Sequence, residues 1–133
     1  MNDRVHIFVG SFANREAACV YTEAQWEPEP VTSVSDQEYH EWEVRNPFWQ
    51  MRSDLGDPYL DEDFIETIDG MDRYDYLTNI LTDPSAIDHV RGRAGDDRNI
   101  LVLIFSEALG GFPAAMKSTS CLEYCGEFSC KLS

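Results

Sequence analysis

One uninterrupted apolar run places the strongest constraint on the fold of this chain. Asn99 is followed by Ile100-Leu101-Val102-Leu103-Ile104-Phe105, a continuous run that is rich in β-branched side chains. Successive side chains of a strand point to opposite faces of the sheet, so a run without alternation requires cover on both faces. We therefore predict a central strand over residues 99–105, buried on both sides.

Shorter patterns predict the remaining strands. Val5-His6-Ile7-Phe8-Val9 ends at Gly10 and predicts a strand over residues 4–10. Residues 121–125 and 127–132 both alternate around Gly126, which predicts one bent strand or a tight hairpin. Residues 64–68 favour a strand, although Leu60, Phe64 and Ile68 also fit one face of a helix.

Capping residues and apolar periodicity predict helices over about residues 14–23, 36–44, 47–55, 71–82 and 85–91. Asn46 is expected to cap the third of these helices, with Pro47 at its first helical position. The prediction for the fold class is α+β, with a single mixed sheet of about four to five strands and helices packed on its apolar face. A chain of 133 residues suits one domain, residues 1–133, with the strands at 4–10 and 99–105 in the same sheet.

Acidic residues are concentrated in the first half of the chain. The formal net charge is −15, and the segment from Glu16 to Asp75 holds 17 acidic residues but only 3 arginines, which gives −14. The hydrophobic content of 43% excludes a disordered acidic tail. Such a field favours a basic protein partner and disfavours nucleic acid, whose phosphates it repels, although solubility alone also explains an acidic surface.

The densest part of this region is Asp57–Asp69, where six carboxylates surround a short apolar segment. Its apolar residues are expected to anchor the segment in the core while the acids face solvent, because a buried unpaired carboxylate is costly. The region from Trp26 to Trp49 is an alternative interface. Its tryptophans Trp42 and Trp49 are expected to pack in the core or at a hinge, but large aromatic residues beside acids are also common binding anchors.

Other chemistry has weaker support in the sequence. Asp61, Glu62, Asp63 and Glu66 offer hard oxygen ligands to a divalent cation but lack the residue order of a calcium loop. The four cysteines lack paired C-x2-C spacing and are expected to be reduced thiols, and we expect no metal and no cofactor. The chain shows no signal-peptide pattern and no apolar run of membrane-spanning length, so we expect a cytoplasmic protein without membrane partners.

Three segments carry a resemblance to a known family. They are Val5-His6-Ile7-Phe8-Val9-Gly10-Ser11-Phe12, then Leu55-Gly56 with Tyr59-Leu60-Asp61-Glu62-Asp63-Phe64-Ile65-Glu66, and finally Leu122-Glu123-Tyr124-Cys125-Gly126-Glu127-Phe128. In this order they resemble the Imm22-type immunity proteins of bacterial polymorphic toxin systems. The resemblance implies stoichiometric neutralisation of a cognate toxin by covering one of its functional surfaces. A basic nuclease toxin would suit the acidic region, because its substrate-binding surface is built to take polyanions.

The leading hypothesis is a non-enzymatic immunity protein that neutralises a cognate, basic toxin domain through its acidic surface. It joins the concentration of charge to the family resemblance. The candidate contact residues are Asp57, Tyr59, Asp61, Glu62, Asp63, Glu66 and Asp69. Two alternatives stay open, a metal-dependent hydrolase that uses the carboxylates from Asp61 to Glu66, and an acidic adaptor for a basic protein other than a toxin.

Overall fold

The computed structural model describes residues 3–112 and 114–131. Pro113 of the predicted loop and Leu132 at the end of the predicted last strand lie outside the described residues. The helices and strands in chain order are β1 Asp3–Gly10, α1 Arg15–Thr22, α2 Asp36–Arg45, α3 Gln50–Asp54, β2 Ile65–Ile68, α4 Arg73–Ile80, α5 Pro84–Ala94, β3 Ile100–Phe105 and β4 Leu122–Cys130. Two 3₁₀ turns, Glu62–Phe64 and Ser106–Leu109, precede β2 and follow β3.

The strands form one four-stranded sheet in the order β2-β3-β1-β4. Val5 lies opposite Phe105, so the predicted strands at 4–10 and 99–105 are neighbours in the interior of the sheet. The α+β class and the single sheet are confirmed. The prediction of a mixed sheet is wrong, because every pairing of the described strands is antiparallel. The apolar pattern of one strand reports its burial and not the direction of its neighbour.

Helices cover both faces of the sheet, which agrees with the two-sided burial predicted for residues 99–105 but not with the prediction of helices on a single apolar face. Ile7 and Leu103 point to the face covered by α4 and α5, whereas Phe8 and Val102 point to the face covered by α1 and α3. All six residues of β3 are therefore buried, which confirms the prediction of a central strand covered on both sides. The continuous apolar run is typical of parallel sheets, but here an antiparallel strand needs it because it lies between two helical layers.

The two edge strands settle the alternatives left open by the sequence. Residues Ile65–Ile68 form a strand, as preferred, and only Glu62–Phe64 before it is helical. Leu122–Cys130 is one strand and not a hairpin. Its register shifts opposite Ile7 and Phe8, where Gly126 has a φ of 129°, so a β-bulge accounts for the predicted bend.

The third helix begins later than expected, and the predicted role of Asn46 is wrong. Asn46 ends α2, and its side-chain amide donates to the carbonyl of Trp42 at 2.9 Å. Phe48 then pairs with Gln25 through two backbone hydrogen bonds of 2.8 Å. This bridge keeps the backbone extended past Pro47, so α3 starts only at Gln50.

Two glycines provide a matched test of this packing. A Cβ at Gly10 would lie 2.7 Å from the carbonyl oxygen of Cys121, whereas a Cβ at Gly92 in α5 would meet no atom within 4 Å. Gly10→Ala should lower the free energy of unfolding by roughly 1–3 kcal/mol through overpacking. Gly92→Ala should raise it by roughly 0.5–1 kcal/mol, because alanine favours a helix. Urea unfolding followed by circular dichroism measures both, and effects of the same sign would contradict the packing described.

Candidate functional site

β2 has a free edge, because β3 pairs with one side of it and no other strand of the described chain pairs with the opposite side. A groove of about 530 Å³ runs along this free edge, between β2, α1 and the turn that precedes β2. We call it the edge groove. Its lining residues are Arg15, Thr22, Glu23, Glu62, Asp63, Ile65, Glu66, Thr67 and Ile68.

Polar contacts fix α1 against β2 and so define the walls of the edge groove. The hydroxyls of Thr22 and Thr67 share a buried hydrogen bond of 2.7 Å. At the other end of α1, the Arg15 guanidinium donates to the Thr67 carbonyl at 3.4 Å. Trp49 donates its indole N–H to the Thr22 carbonyl at 2.7 Å, so the last turn of α1 is held from two directions. The groove therefore has a fixed shape without a bound partner.

The edge groove is strongly electronegative. Glu23, Glu62, Asp63 and Glu66 supply four carboxylates, and none of them forms an ion pair with a cation of the described residues. Arg15 is the one basic residue in the lining, and its Nε lies 3.9 Å from Asp69 Oδ1 outside the groove. Because Asp69 offsets the charge of Arg15, the four carboxylates attract cationic groups of a partner.

Glu66 also lies close to α4. Tyr76 in this helix is half-buried, and its hydroxyl is near the Glu66 carboxylate. Burial raises the pKa of Tyr76 to about 12, with further contributions from the hydrogen bond and the negative charge of Glu66. The Tyr76 hydroxyl therefore stays protonated beside this carboxylate over the whole physiological range.

The structure brings together only part of the predicted contact surface. Glu62, Asp63 and Glu66 line the edge groove, and Asp69 lies at its Arg15 end. Asp61 does not line the groove. Its carboxylate accepts the backbone N–H of Asp63 at 3.0 Å and caps the 3₁₀ turn.

Asp57 and Tyr59 lie outside the edge groove. Asp57 has a φ of 58°, and the Arg52 guanidinium donates to its carbonyl at 3.3 Å and to that of Pro58 at 2.6 Å. The ring of Tyr59 packs against Phe112 with the centroids 5.5 Å apart. Thus Asp57 closes a turn, and Tyr59 belongs to a separate aromatic pair on the surface.

Sequence reasoning missed Glu23 and Arg15 as groove residues. Both lie far from the Asp57–Asp69 stretch in the sequence and reach it because α1 packs on β2 through the Thr22–Thr67 hydrogen bond. Glu23 was recognisable only as one more acid at the end of a predicted helix. No local pattern indicates which strand a helix will cover.

Three residues of types that often serve as nucleophiles or bases, Cys125, Cys130 and His6, are buried. Across residues 3–112 and 114–131, no three His, Cys, Asp or Glu side chains converge as a possible metal site. Burial raises the pKa values of the Cys125 and Cys130 thiols to about 11, so these thiols are protonated and poor nucleophiles. His6 is buried in β1 and hydrogen-bonded to the Tyr124 hydroxyl at 2.8 Å, and burial lowers its pKa. Cys125, Cys130 and His6 are not among the residues that line the edge groove.

Comparisons of the chain with protein-family models, with curated proteins and with solved structures give no match. The resemblance to immunity proteins therefore stays a prediction, and function is inferred from the geometry. Within the part of the chain that the structure describes, no helix combines the length and apolar character needed to cross a bilayer.

The contact between Tyr76 and Glu66 predicts an unusual titration. Tyr76 should titrate near a pKa of 12 in the native protein, and Glu66→Gln should lower this pKa by removing the neighbouring charge. Because the folded pKa lies above the unfolded value of 10.0, the stability contributed by Tyr76 is lost as the pH rises from 10.0 to about 12.

Carbon NMR of labelled tyrosine rings, assigned with Tyr76→Phe, measures this pKa. Glu62→Gln is the matched control, because it removes an exposed carboxylate from the same groove that does not contact Tyr76. An equal decrease in both variants would mean that the general field, and not the contact with Glu66, raises the pKa.

Proposed function

We propose that this protein is a non-catalytic immunity protein that binds a basic toxin domain and covers a functional surface of that domain. The observation that carries the proposal is the edge groove, where four carboxylates without an ion pair among the described residues lie along a free sheet edge. The resemblance to Imm22-type immunity proteins suggests a toxin as the partner. The carboxylates of the edge groove suggest that the contacting surface of this partner is basic.

The groove suits lysine and arginine side chains that project from a protein surface. Its walls are fixed by the Thr22–Thr67 and Trp49–Thr22 hydrogen bonds, so little ordering of the groove is needed when a partner binds. A nuclease presents a basic surface to its polyanionic substrate, and carboxylates placed against that surface exclude the substrate. Inhibition then requires occlusion and no chemical step.

The same geometry gives less support to a metal-dependent hydrolase. Asp61, which that alternative needs as a ligand, is engaged as the cap of the 3₁₀ turn. Glu62, Asp63 and Glu66 line the groove without forming a three-ligand cluster among the described residues. An acidic adaptor would use the same groove chemistry, so the activity of the partner distinguishes it from an immunity protein.

Two electrostatic effects contribute to binding and are separable. The net charge of −15 steers a basic partner from a distance, and this effect is screened over roughly 8–10 Å at physiological ionic strength. The carboxylates in the edge groove lose water on contact and depend far less on salt. Neutralisation of groove acids should therefore act on dissociation, and neutralisation of remote acids on association.

The first test is protection of cells from the toxin. A candidate basic toxin domain, sought among the genes adjacent to that of this chain, is expressed with the wild-type protein or with the triple variant Glu62→Gln, Asp63→Asn, Glu66→Gln. Wild type should restore growth and the groove variant should not. The matched control neutralises three acids in and after α5, through Asp88→Asn, Asp96→Asn and Asp97→Asn, and should protect like wild type.

Equal protection by the groove variant would remove the edge groove as the binding site. A neighbouring domain that forms a complex with this chain but has no toxicity would support the adaptor and contradict the immunity function.

The second test is kinetic and uses the same toxin domain on a sensor surface at two ionic strengths. Asp63→Asn should raise the dissociation rate, with a loss of roughly 2–5 kcal/mol if the carboxylate forms a buried, hydrogen-bonded pair in the complex. The control triple variant at Asp88, Asp96 and Asp97 should instead slow association and flatten its salt dependence. Purely association-rate effects from both variants would mean that the groove acts only as part of a diffuse field.

A further inference from the structure

Residues 25–48 form a separate arm, which belongs to neither of the two helical layers that cover the sheet. Its base is closed by the two backbone hydrogen bonds of 2.8 Å between Gln25 and Phe48. The structure describes all ten residues of its helix, α2, and none of them is buried. None of residues 25–48 belongs to either core cluster. The arm therefore contributes little to the core of the domain.

The arm is nevertheless internally ordered, with Glu27 at its centre. The Glu27 carboxylate accepts hydrogen bonds from Arg45 Nε at 2.9 Å and from the Asn46 amide at 3.2 Å. The backbone carbonyl of Glu27 accepts the indole N–H of Trp42 at 3.2 Å. Ser35 caps α2 by accepting the N–H of Glu38 at 3.1 Å. These bonds hold the arm in one shape although it lacks a core of its own.

Apolar side chains are exposed on this ordered arm. Trp42 lies between Trp26 and Tyr39, at ring-centroid distances of 6.1 Å and 5.5 Å. Trp26 is 62% exposed and Val44 is 73% exposed. Preordered, exposed aromatic residues are enriched at the centres of protein interfaces, because they bury a large area on binding at little cost in entropy. Trp42 and Tyr39 are half-buried by this packing, so the exposed ring of Trp26 and the accessible parts of the other two rings are available to another molecule.

The charge of the arm selects the class of that molecule. The single cation of the segment other than histidine, Arg45, is paired with Glu27. Five further acids remain, and they are Glu29, Asp36, Glu38, Glu41 and Glu43. A second copy of this acidic chain and an anionic lipid surface would both be repelled. Arginine fits best, because its guanidinium stacks on aromatic rings and also forms paired hydrogen bonds with carboxylates.

We propose that the arm is a second docking surface, separate from the edge groove, and that it binds an arginine-rich protein segment on the exposed ring of Trp26 and the accessible parts of Trp42 and Tyr39. The flanking carboxylates pair with the guanidinium groups. This inference does not depend on the toxin as partner, because the aromatic row and the five acids define the chemistry by themselves.

The tryptophans provide an internal control for the test. The probe is a short synthetic peptide in which arginine and leucine alternate, titrated into nitrogen-15-labelled protein. The indole signals of Trp26 and Trp42 should shift in a saturable manner. The Trp49 signal should stay constant when the peptide binds the arm, whereas a shift of Trp49 would report binding in the edge groove, because its N–H is bound to the carbonyl of Thr22, which lines that groove. A peptide with lysine in place of arginine should bind more weakly. Absence of a saturable shift, or equal shifts of all three signals, would overturn the proposal.

Exposed positions supply the variants. Trp26→Ala should weaken peptide binding by roughly threefold to thirtyfold, the range expected for the loss of one cation–π contact. The pair Glu41→Gln and Glu43→Gln, on the solvent side of α2, tests the carboxylates without touching the Glu27 bonds. Unchanged peptide affinity in both variants would contradict the proposal. An unchanged Trp49 signal verifies that each variant is folded.

A groove variant separates this inference from the proposed function. Glu62→Gln with Asp63→Asn should leave the peptide-induced shifts of Trp26 and Trp42 intact. Shifts confined to the backbone amides of residues 62–66 would place the basic peptide in the edge groove and refute the arm as a docking surface, while the proposed function would stand. Peptide binding at the arm, combined with full toxin protection by the groove variant, would refute the groove and retain the arm.

Discussion

Burial of β3 on both faces is the constraint on which the rest of this structure depends. All six of its side chains are buried, and in β1 beside it residues 5–10 are buried as well. Two interior strands of this kind need helices above and below, so α1 and α3 cover one face while α4 and α5 cover the other. A protein with a net charge of −15 must then place its carboxylates on the periphery, at the sheet edge, in loops and on the arm.

The periphery is organised around α1. Thr22, in the last turn of this helix, shares a hydrogen bond with Thr67 of β2 and accepts another from Trp49. The first contact forms a wall of the edge groove, and the second fixes the chain just beyond the base of the arm. Because Thr22 contacts both β2 and Trp49, the edge groove and the residue that follows the arm are held by the same helix. Concentrated like charge costs stability, and these polar contacts keep the acids in place against that repulsion.

The interior of the fold was predictable from the sequence, because burial leaves a direct trace in residue pattern. The run at Ile100–Phe105 and the run that ends at Gly10 gave two neighbouring strands, and Gly126 marked the bend in β4. Strand direction was not predictable, since it depends on how connections cross the sheet. Tyr39 and Trp42 have helical spacing and do lie on a helix, but spacing does not reveal whether a core lies opposite that face.

The site was predicted in part. Glu62, Asp63 and Glu66 belong to the edge groove because they are carried by β2 and its preceding turn. Asp57 and Tyr59 are close to them in sequence but lie outside the groove, because Asp57 contacts Arg52 and Tyr59 packs against Phe112. Glu23 joins the groove through the packing of two elements distant in the chain. Proximity in sequence thus predicted the groove acids of β2 and the turn before it. It failed for residues whose position depends on tertiary contacts.

The central claim is that a basic partner covers the free edge of β2. Hydrogen exchange of the complex with the toxin domain, measured by mass spectrometry, tests it most directly, because the sheet has a second edge strand, β4, for comparison. Exchange should slow in residues 15–23 and 62–68 and stay unchanged in residues 122–130. Protection confined to residues 122–130 or to α5, with none at residues 62–68, would contradict the account.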